Sequence, residues 1–84
     1  MAEIIVYSTD PCSFCTRAKE LLKQRGIAFQ EVNLAKDPVG RAKLAGDTGM
    51  MSFPQIVIDG SVLGGFRELI SADQDGRLED FAAA

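Results

Sequence analysis

Two cysteines separated by two residues, Cys12 and Cys15, carry the strongest chemical signal in this chain. They follow a short apolar run typical of a buried strand, and they begin a segment with helical spacing. A thiol at the first turn of a helix faces unpaired backbone N–H groups and the positive end of the helix dipole, and both stabilise a thiolate. The second sulfur lies one turn further along, close enough to attack a mixed disulfide formed on the first. The motif predicts a redox site for thiol–disulfide exchange.

Three other interpretations of the cysteine pair stay open: a structural disulfide, two unreactive core thiols, or half of a zinc site. The chain has two cysteines and no histidine, so one chain offers two of the four ligands that structural zinc requires, and a zinc site would need a dimer. A reducing compartment keeps ordinary disulfides open, which favours a catalytic pair there. The strand-then-helix setting favours the redox interpretation further.

The composition predicts a single small domain over residues 1–84. The chain is 46% hydrophobic but has only six aromatic residues and no Trp, which allows one modest core. No apolar run approaches the length of a membrane span, and the N-terminus lacks the pattern of a signal peptide. We therefore expect a cytoplasmic monomer without a membrane partner.

The charge is distributed unevenly along the chain. The net charge of −3 argues against nucleic acid as the main partner. Seven basic residues stand against three acidic ones between Cys12 and Lys43, whereas two basic residues face seven acidic ones from Leu44 onward. The basic residues of the first stretch are Arg17, Lys19, Lys23, Arg25, Lys36, Arg41 and Lys43. If this stretch surrounds the thiols, the reactive face is positive and suits an anionic thiol substrate; each residue taken singly is equally typical of a solvated helix face.

The elements that must position the cysteines alternate between strand and helix. A β-branched run predicts a central strand at residues 3–8. Helical periodicity then predicts a helix that begins at Ser13 and ends at Gly26, a residue suited to a left-handed cap. Its buried face is expected to contain Cys15, Ala18, Leu21 and Leu22. A second strand is predicted at residues 27–32.

The second half of the chain contains strong local signals. Asp37 as helix cap and Pro38 at the first helical position predict a second helix that runs to about Thr48. Two apolar runs flank Asp59-Gly60, which predicts a β-hairpin. A third helix is predicted at residues 66–73, a final turn at 78–81, and fraying at 82–84.

This order of elements predicts an α/β fold. Two strands joined by a crossover helix are parallel, and the hairpin adds two antiparallel strands. The expected architecture is a four-stranded mixed sheet flanked by helices. Cys12 would lie directly after the first strand of this sheet.

The chain resembles a glutaredoxin, a member of the thioredoxin-fold superfamily, over most of its length. The matching segments are Cys12-Ser13-Phe14-Cys15, the helix that ends in Gly26, the run from Ser52 through Pro54 to Gly60, and Gly64-Gly65-Phe66. The resemblance implies that Cys12 is the attacking thiol, Cys15 the resolving thiol and Pro54 a cis proline that faces them. A cis bond there would present the Phe53 backbone to a substrate cysteine as one rung of an added strand. The plainer interpretation of Pro54 is a proline that begins a strand.

The resemblance also implies that glutathione is the co-substrate. The binding residues would be Phe14, Arg41, Phe53, Pro54, Gly65, Phe66 and Glu68. Gly64-Gly65 would let a ligand carboxylate approach the backbone N–H groups that begin the third helix, although a glycine pair also suits a plain tight turn. Phe14 would form a flat apolar wall, or else a half-buried core aromatic. Glu68 is the nearest acid for the γ-glutamyl ammonium, and Arg41 would reach a carboxylate.

Three positions depart from the family pattern. Thr9 stands where many glutaredoxins have a lysine, Met50 where a basic residue is common, and Arg67 where an acid is common. The Gly65-Phe66-Arg67 run is similar to one in small redoxins that serve ribonucleotide reductase and are recharged by thioredoxin reductase. Such a redoxin is the first alternative.

A second alternative follows from Ser13, which stands where glutaredoxins usually have a proline. Some family members with serine there hold a [2Fe–2S] cluster between two subunits, and the resemblance makes Cys12 its ligand. The expected function is otherwise that of a glutathione-dependent thiol–disulfide oxidoreductase. Its substrates would be protein disulfides and glutathionylated proteins, ribonucleotide reductase among them, and its role electron transport and cell redox homeostasis.

Overall fold

The computed structural model describes residues 3–81, which fold into four strands, three α-helices and a terminal 3₁₀ helix. The elements are β1 (Ile4–Ser8), α1 (Ser13–Gln24), β2 (Gln30–Asn33), α2 (Pro38–Thr48), β3 (Gln55–Ile58), β4 (Ser61–Gly64), α3 (Phe66–Gln74) and the 3₁₀ helix (Arg77–Phe81). The predicted fraying at 82–84 lies outside the described residues. No helix within 3–81 has the length and apolar character needed to cross a membrane.

The four strands form one mixed sheet in the order β2-β1-β3-β4. β1 is central, parallel to β2 and antiparallel to β3, and β3 and β4 form the hairpin. Asp59 and Gly60 both take the left-handed conformation, with φ of 50° and 82°, which a two-residue hairpin turn requires. The predicted four-stranded mixed sheet with flanking helices is therefore confirmed.

The core lies between the sheet and the helices α1 and α3. Its buried cluster consists of Ile4, Val6, Ala18, Leu22, Ile27, Ile56, Leu69, Ala72 and Leu78. α1 contributes the face that the periodicity predicts, since Cys15, Ala18 and Leu22 are buried and Leu21 packs against the cluster. This packing holds α1 against the sheet and fixes where its first turn lies.

The helix ends follow the local sequence. Asp37 caps α2 by accepting a hydrogen bond from the Gly40 N–H at 2.9 Å, and Pro38 is the first helical residue, as predicted. Gly26 follows α1 in the left-handed conformation, with a φ of 71°. The start of α1 and the loop between α2 and β3 meet where Cys12 Sγ lies 3.9 Å from the Phe53 carbonyl oxygen.

The prediction for the second strand was wrong at its start. The strand was expected at 27–32, but β2 begins at Gln30, which pairs with Ile5. The Ile27 N–H donates to the Leu22 carbonyl at 2.9 Å and so closes the end of α1 instead of joining the sheet. Ile27 is apolar because its side chain is buried in the core, not because its backbone is in a strand.

Candidate active site

Cys12 is the N-cap residue of α1. Its backbone is extended, with φ −156° and ψ 101°, and its Sγ accepts a hydrogen bond from the Cys15 N–H at 3.2 Å. A sulfur in this position satisfies one of the N–H groups that a helix leaves unpaired at its start. Its side chain is partly exposed. The predicted contact between the sulfur and the helix terminus is present in the structure.

Cys15 lies one turn further along α1 and faces the interior. It is only 2% exposed. Burial raises the pKa of the Cys15 thiol to about 11, with the hydrogen bond to Cys12 as the second cause. A backbone contact with Thr9 and the Lys19 ammonium act in the opposite direction. The two thiols of the motif therefore differ in accessibility. The inner thiol also ionises less readily than a free thiol.

The Phe53-Pro54 peptide bond is cis, as predicted, and it faces Cys12. The Phe53 carbonyl oxygen lies 3.9 Å from Cys12 Sγ, and Pro54 is buried. A chain linked to Cys12 through a disulfide would pass directly along the Phe53 backbone. This juxtaposition brings together two parts of the site that are 41 residues apart in sequence.

A buried polar side chain, Gln55, holds the loop that precedes this cis bond. Gln55 is 1% exposed. Its Nε2 donates to the carbonyl oxygens of Met50 and Ser52 at 2.9 and 3.0 Å, and its Oε1 accepts from the Thr48 hydroxyl at 2.8 Å. Neither Thr48 nor Gln55 was among the site residues predicted from the sequence. The signal in the sequence was Gln55 itself, a polar residue between Pro54 and the apolar remainder of β3.

Aromatic side chains form a groove on one side of Cys12, which we call the aromatic groove. Its volume is about 480 Å³, and Phe14, Phe53, Pro54, Gly65 and Phe66 are among its lining residues. The ring of Phe14 is 51% exposed and stacks on Phe66 with centroids 5.6 Å apart. Phe14 is thus a surface wall and not a core aromatic. Six of the seven predicted binding residues, Glu68 among them, line this groove.

Glu68 also lines the aromatic groove, and its carboxylate is engaged there. Its Oε1 accepts a hydrogen bond from the Gly65 N–H at 2.9 Å and caps α3. One of the N–H groups expected to bind a ligand carboxylate is thus already paired within the chain. Gly64 has a φ of 130°, and a Cβ there would lie 2.6 Å from Glu68 Cγ. Glycine at this position leaves room for the Glu68 side chain.

A second groove lies on the other side of Phe53, and we call it the methionine groove. Its volume is about 490 Å³, and its lining includes Thr9, Arg41, Met50, Met51 and Phe53. Met50 and Phe53 line both grooves, so the two meet beside the cis bond. Arg41, the seventh predicted binding residue, lines the methionine groove, whereas the other six line the aromatic groove.

The expected positive face is only partly present. Arg41 lines the methionine groove, Arg67 lines the aromatic groove, and the Arg17 guanidinium lies 5.8 Å from the Phe14 ring centroid. Arg25, in contrast, pairs with Asp73 at 2.7 Å beyond the far end of α1. Three arginines thus lie at the two grooves. Two of them, Arg17 and Arg41, belong to the basic stretch between Cys12 and Lys43, and Arg67 does not.

A second polar group that the sequence analysis missed joins β1, β2 and α1. The Ser8 hydroxyl and the Lys19 ammonium both donate to Glu31 Oε2, at 2.7 and 2.8 Å. Lys19, followed by Ser8, lowers the pKa of the Glu31 carboxyl. Lys19 lies one turn after Cys15 on α1, so this group fixes a cation whose charge acts on the buried thiol.

The side chains of one chain do not fit a metal or an iron–sulfur cluster. Within residues 3–81 no three His, Cys, Asp or Glu side chains form a group that could hold a metal ion. Cys12 is partly exposed, but Cys15 is buried in the core.

Comparison with known proteins gives one consistent family. The glutaredoxin family profile matches residues 4–63. Among curated proteins, a glutaredoxin from Pseudomonas aeruginosa is 36% identical over 84 residues, which is all of both chains. Glutaredoxin 3 of Escherichia coli K12 is 34% identical over 79 residues, covering 94% of this chain and 95% of the other.

Solved structures agree with these relatives. The fold matches a buckwheat glutaredoxin–glutathione complex with a TM-score of 0.86 and 27% identity, covering 98% of this chain and 83% of that one. It matches a glutaredoxin from Brucella melitensis with a TM-score of 0.84 and 34% identity, covering 95% and 87% of the two chains.

Proposed function

This chain belongs to the glutaredoxin family of thiol–disulfide oxidoreductases, and from that premise we propose that it is a dithiol glutaredoxin that uses glutathione. Its substrates are protein disulfides and glutathionylated protein thiols. The observation that carries the proposal is the position of Cys12 at the start of α1, beside the carbonyl oxygen of Phe53, a residue that lines both grooves.

The first step of the proposed reaction takes place at Cys12. The Cys12 thiolate attacks one sulfur of the substrate disulfide, a new disulfide forms at Cys12, and the other substrate sulfur leaves as a thiolate. On a glutathionylated protein, Cys12 takes the glutathionyl group and the protein thiol leaves. A second glutathione thiolate then attacks the glutathione sulfur, which releases oxidised glutathione and restores Cys12.

The dithiol route uses Cys15 in a second step. When Cys12 is linked to a protein substrate, Cys15 loses its proton and attacks Cys12 Sγ, and the substrate leaves with both of its sulfurs reduced. The two electrons that the substrate gains come from the Cys12–Cys15 pair, which becomes a disulfide. Two glutathione molecules then reduce that disulfide and form oxidised glutathione. The 3.2 Å contact between Cys12 Sγ and the Cys15 backbone supports this pairing.

The charges at the far ends of the two grooves support glutathione as the reductant. Glu68 in the aromatic groove is complementary to the γ-glutamyl ammonium, and Arg41 in the methionine groove is complementary to the glycine carboxylate. The match to a glutaredoxin–glutathione complex supports the same assignment. A reducing compartment such as the cytoplasm, with its glutathione pool, is where such a protein would act.

One observation favours a second candidate, a redoxin recharged by thioredoxin reductase. The Glu68 carboxylate already accepts a hydrogen bond from the Gly65 N–H, so the start of α3 carries its own negative charge where the γ-glutamyl carboxylate would lie. In this candidate the Cys12–Cys15 dithiol gives two electrons to a protein disulfide, such as that of ribonucleotide reductase, and becomes a disulfide. Thioredoxin reductase then returns two electrons to that disulfide.

A recycling assay tests the proposal and separates the two candidates. The protein is oxidised to the Cys12–Cys15 disulfide and then reduced either by glutathione with glutathione reductase or by thioredoxin reductase, with NADPH consumption as the readout. We expect turnover in the first system and little in the second. The reverse result would overturn the proposed function in favour of the redoxin. Cys12→Ser provides the blank for both systems.

A further inference from the structure

The methionine groove contains an apolar surface that the proposed reaction with glutathione leaves unused. Ala42, Ala45, Met50, Met51 and Phe53 supply most of its lining. Met51 is 86% exposed, the highest value among the exposed large hydrophobic residues of the described chain. An apolar side chain left in water beside a reactive site is typical of a binding surface. Methionine is also flexible and polarizable, and it adapts to partners of different shape.

The backbone beneath this surface is held in place before any partner binds. The Met50 N–H donates to the Thr48 hydroxyl at 3.1 Å, and the Met50 carbonyl accepts from Gln55 Nε2 at 2.9 Å. The buried Gln55 therefore fixes the segment that carries both methionines. A surface arranged in advance loses less conformational entropy when it binds.

Glutathione cannot fill this surface because of its own chemistry. In the proposed orientation the γ-glutamyl end lies in the aromatic groove and the residue after the cysteine lies in the methionine groove. In glutathione that residue is glycine, which has no side chain. The carboxylate would reach Arg41, while the surface formed by the alanines and methionines stays in water.

We propose that the methionine groove is a subsite for protein substrates and binds an aliphatic side chain on the residue directly after the substrate cysteine. This inference rests on the proposed function, because the orientation comes from it. Arg41 makes no ion pair with any residue in the range 3–79, so it can bind an acidic side chain further along the same substrate. The preferred target is a cysteine followed by an aliphatic and then an acidic residue.

The test compares two tripeptide thiols that differ at one residue. Glutathione is γ-Glu-Cys-Gly, and the probe is γ-Glu-Cys-Leu, which keeps the same ammonium and carboxylates. The Cys15→Ser protein is first converted to its Cys12 mixed disulfide with glutathione. The probe thiolate then attacks the Cys12 sulfur and glutathione leaves as a thiolate, so the exchange needs no oxidant. Mass spectrometry of the intact protein gives the equilibrium constant.

We expect the exchange to favour the leucine peptide by about fivefold, because burial of an aliphatic side chain in a half-open groove stabilises the mixed disulfide. Met51→Ser in the same background should bring the constant close to one. Val39→Ser is the matched control, since Val39 is 78% exposed on α2 and does not line the groove. It should leave the fivefold preference unchanged.

Two results would contradict the inference. Equal binding of the two peptides by the Cys15→Ser protein would overturn it, as would a leucine preference that survives Met51→Ser. Failure of both peptides to form a mixed disulfide at Cys12 would instead overturn the proposed function, and the inference with it. Met51 and Val39 are both exposed, so the folded state should tolerate Met51→Ser and Val39→Ser.

Discussion

The two sides of the first turn of α1 carry the same side chain in opposite environments. On the outer side, Cys12 caps the helix, is partly exposed and lies beside the carbonyl oxygen of Phe53. On the inner side, Cys15 is 2% exposed and its pKa is raised to about 11, mainly by burial. Since the two thiols are chemically identical, their position relative to the helix end and the core is what assigns them different steps.

The largest effect is expected from removing each sulfur in turn. Cys12→Ser should abolish every activity, because no other accessible thiol exists within residues 3–81. Cys15→Ser should keep the removal of glutathione from a glutathionylated peptide and lose the reduction of a protein disulfide, which needs both sulfurs. Assays of both variants on both substrates would measure this. Equal loss in the two variants on the glutathionylated peptide would show that the two thiols do not divide the work.

The second prediction concerns pH. Cys15 must lose its proton before it attacks, and burial raises its pKa well above neutrality. Below that pKa the thiolate fraction rises roughly tenfold per pH unit, so single-turnover dithiol reduction should accelerate steeply between about pH 6 and pH 9. In Cys15→Ser, the first step alone, which is release of the peptide thiol from a glutathionylated peptide without free glutathione, involves no ionisation at position 15 and should lack this contribution. Parallel pH profiles in the two proteins would argue against an ionisation at Cys15.

The same raised pKa predicts a loss of stability at high pH. The folded state binds the Cys15 proton more tightly than the unfolded chain, so stability is fully present below the unfolded value of 9.0 and declines as the pH rises toward about 11. Urea unfolding of the reduced protein and of Cys15→Ser at several alkaline pH values would measure this difference. A decline of equal slope in both proteins would assign it to other groups.

A smaller effect is expected from the charges at the groove ends. Arg41→Ala and Glu68→Gln should each weaken turnover with glutathione by on the order of 1 kcal/mol, or roughly fivefold, and the double variant by about the sum. Gln at position 68 keeps an oxygen for the Gly65 N–H, so the cap of α3 survives. Lys43→Ala, on α2 but outside the groove lining, should not change turnover. Dithiothreitol should support all four proteins equally, and a loss there would indicate damage to the fold.

The smallest effect concerns the polar group near the inner thiol. Lys19 lowers the pKa of Cys15, so Lys19→Met should slow dithiol reduction roughly twofold at neutral pH. In the Cys15→Ser background, Lys19→Met should leave the rate of glutathione removal unchanged, because that route does not use the inner sulfur. An equal slowing of both routes would mean that Lys19 acts on Cys12 or on folding instead.

Local chemistry made much of the fold predictable from sequence. Asp37-Pro38, Asp59-Gly60 and Gly26 each specify a cap or turn by their own backbone preferences, and each lies where it was predicted. The start of β2 was not predictable in this way. Ile27 is apolar in either conformation, and which backbone its N–H pairs with depends on the end of α1.

The candidate site likewise has one part that was predictable from sequence and one part that was not. The position of Cys12 at a helix terminus follows from the local pattern, whereas the hydrogen bonds of Glu31 join residues that are 12 and 23 positions apart. The carboxylate of Glu68 was expected to face a ligand, but its pairing with Gly65 depends on how α3 begins. Contacts that depend on tertiary packing leave little trace in a single sequence.

Alkylation of the reduced protein tests the central difference most directly. A small amount of iodoacetamide is added at neutral pH, and peptide mass spectrometry follows the modification of each cysteine with time. The account predicts rapid modification of Cys12, slow modification of Cys15, and similar rates for both once the protein is unfolded in urea. Modification of Cys15 at the rate of Cys12 in the folded protein would contradict the division between an exposed attacking thiol and a buried resolving thiol.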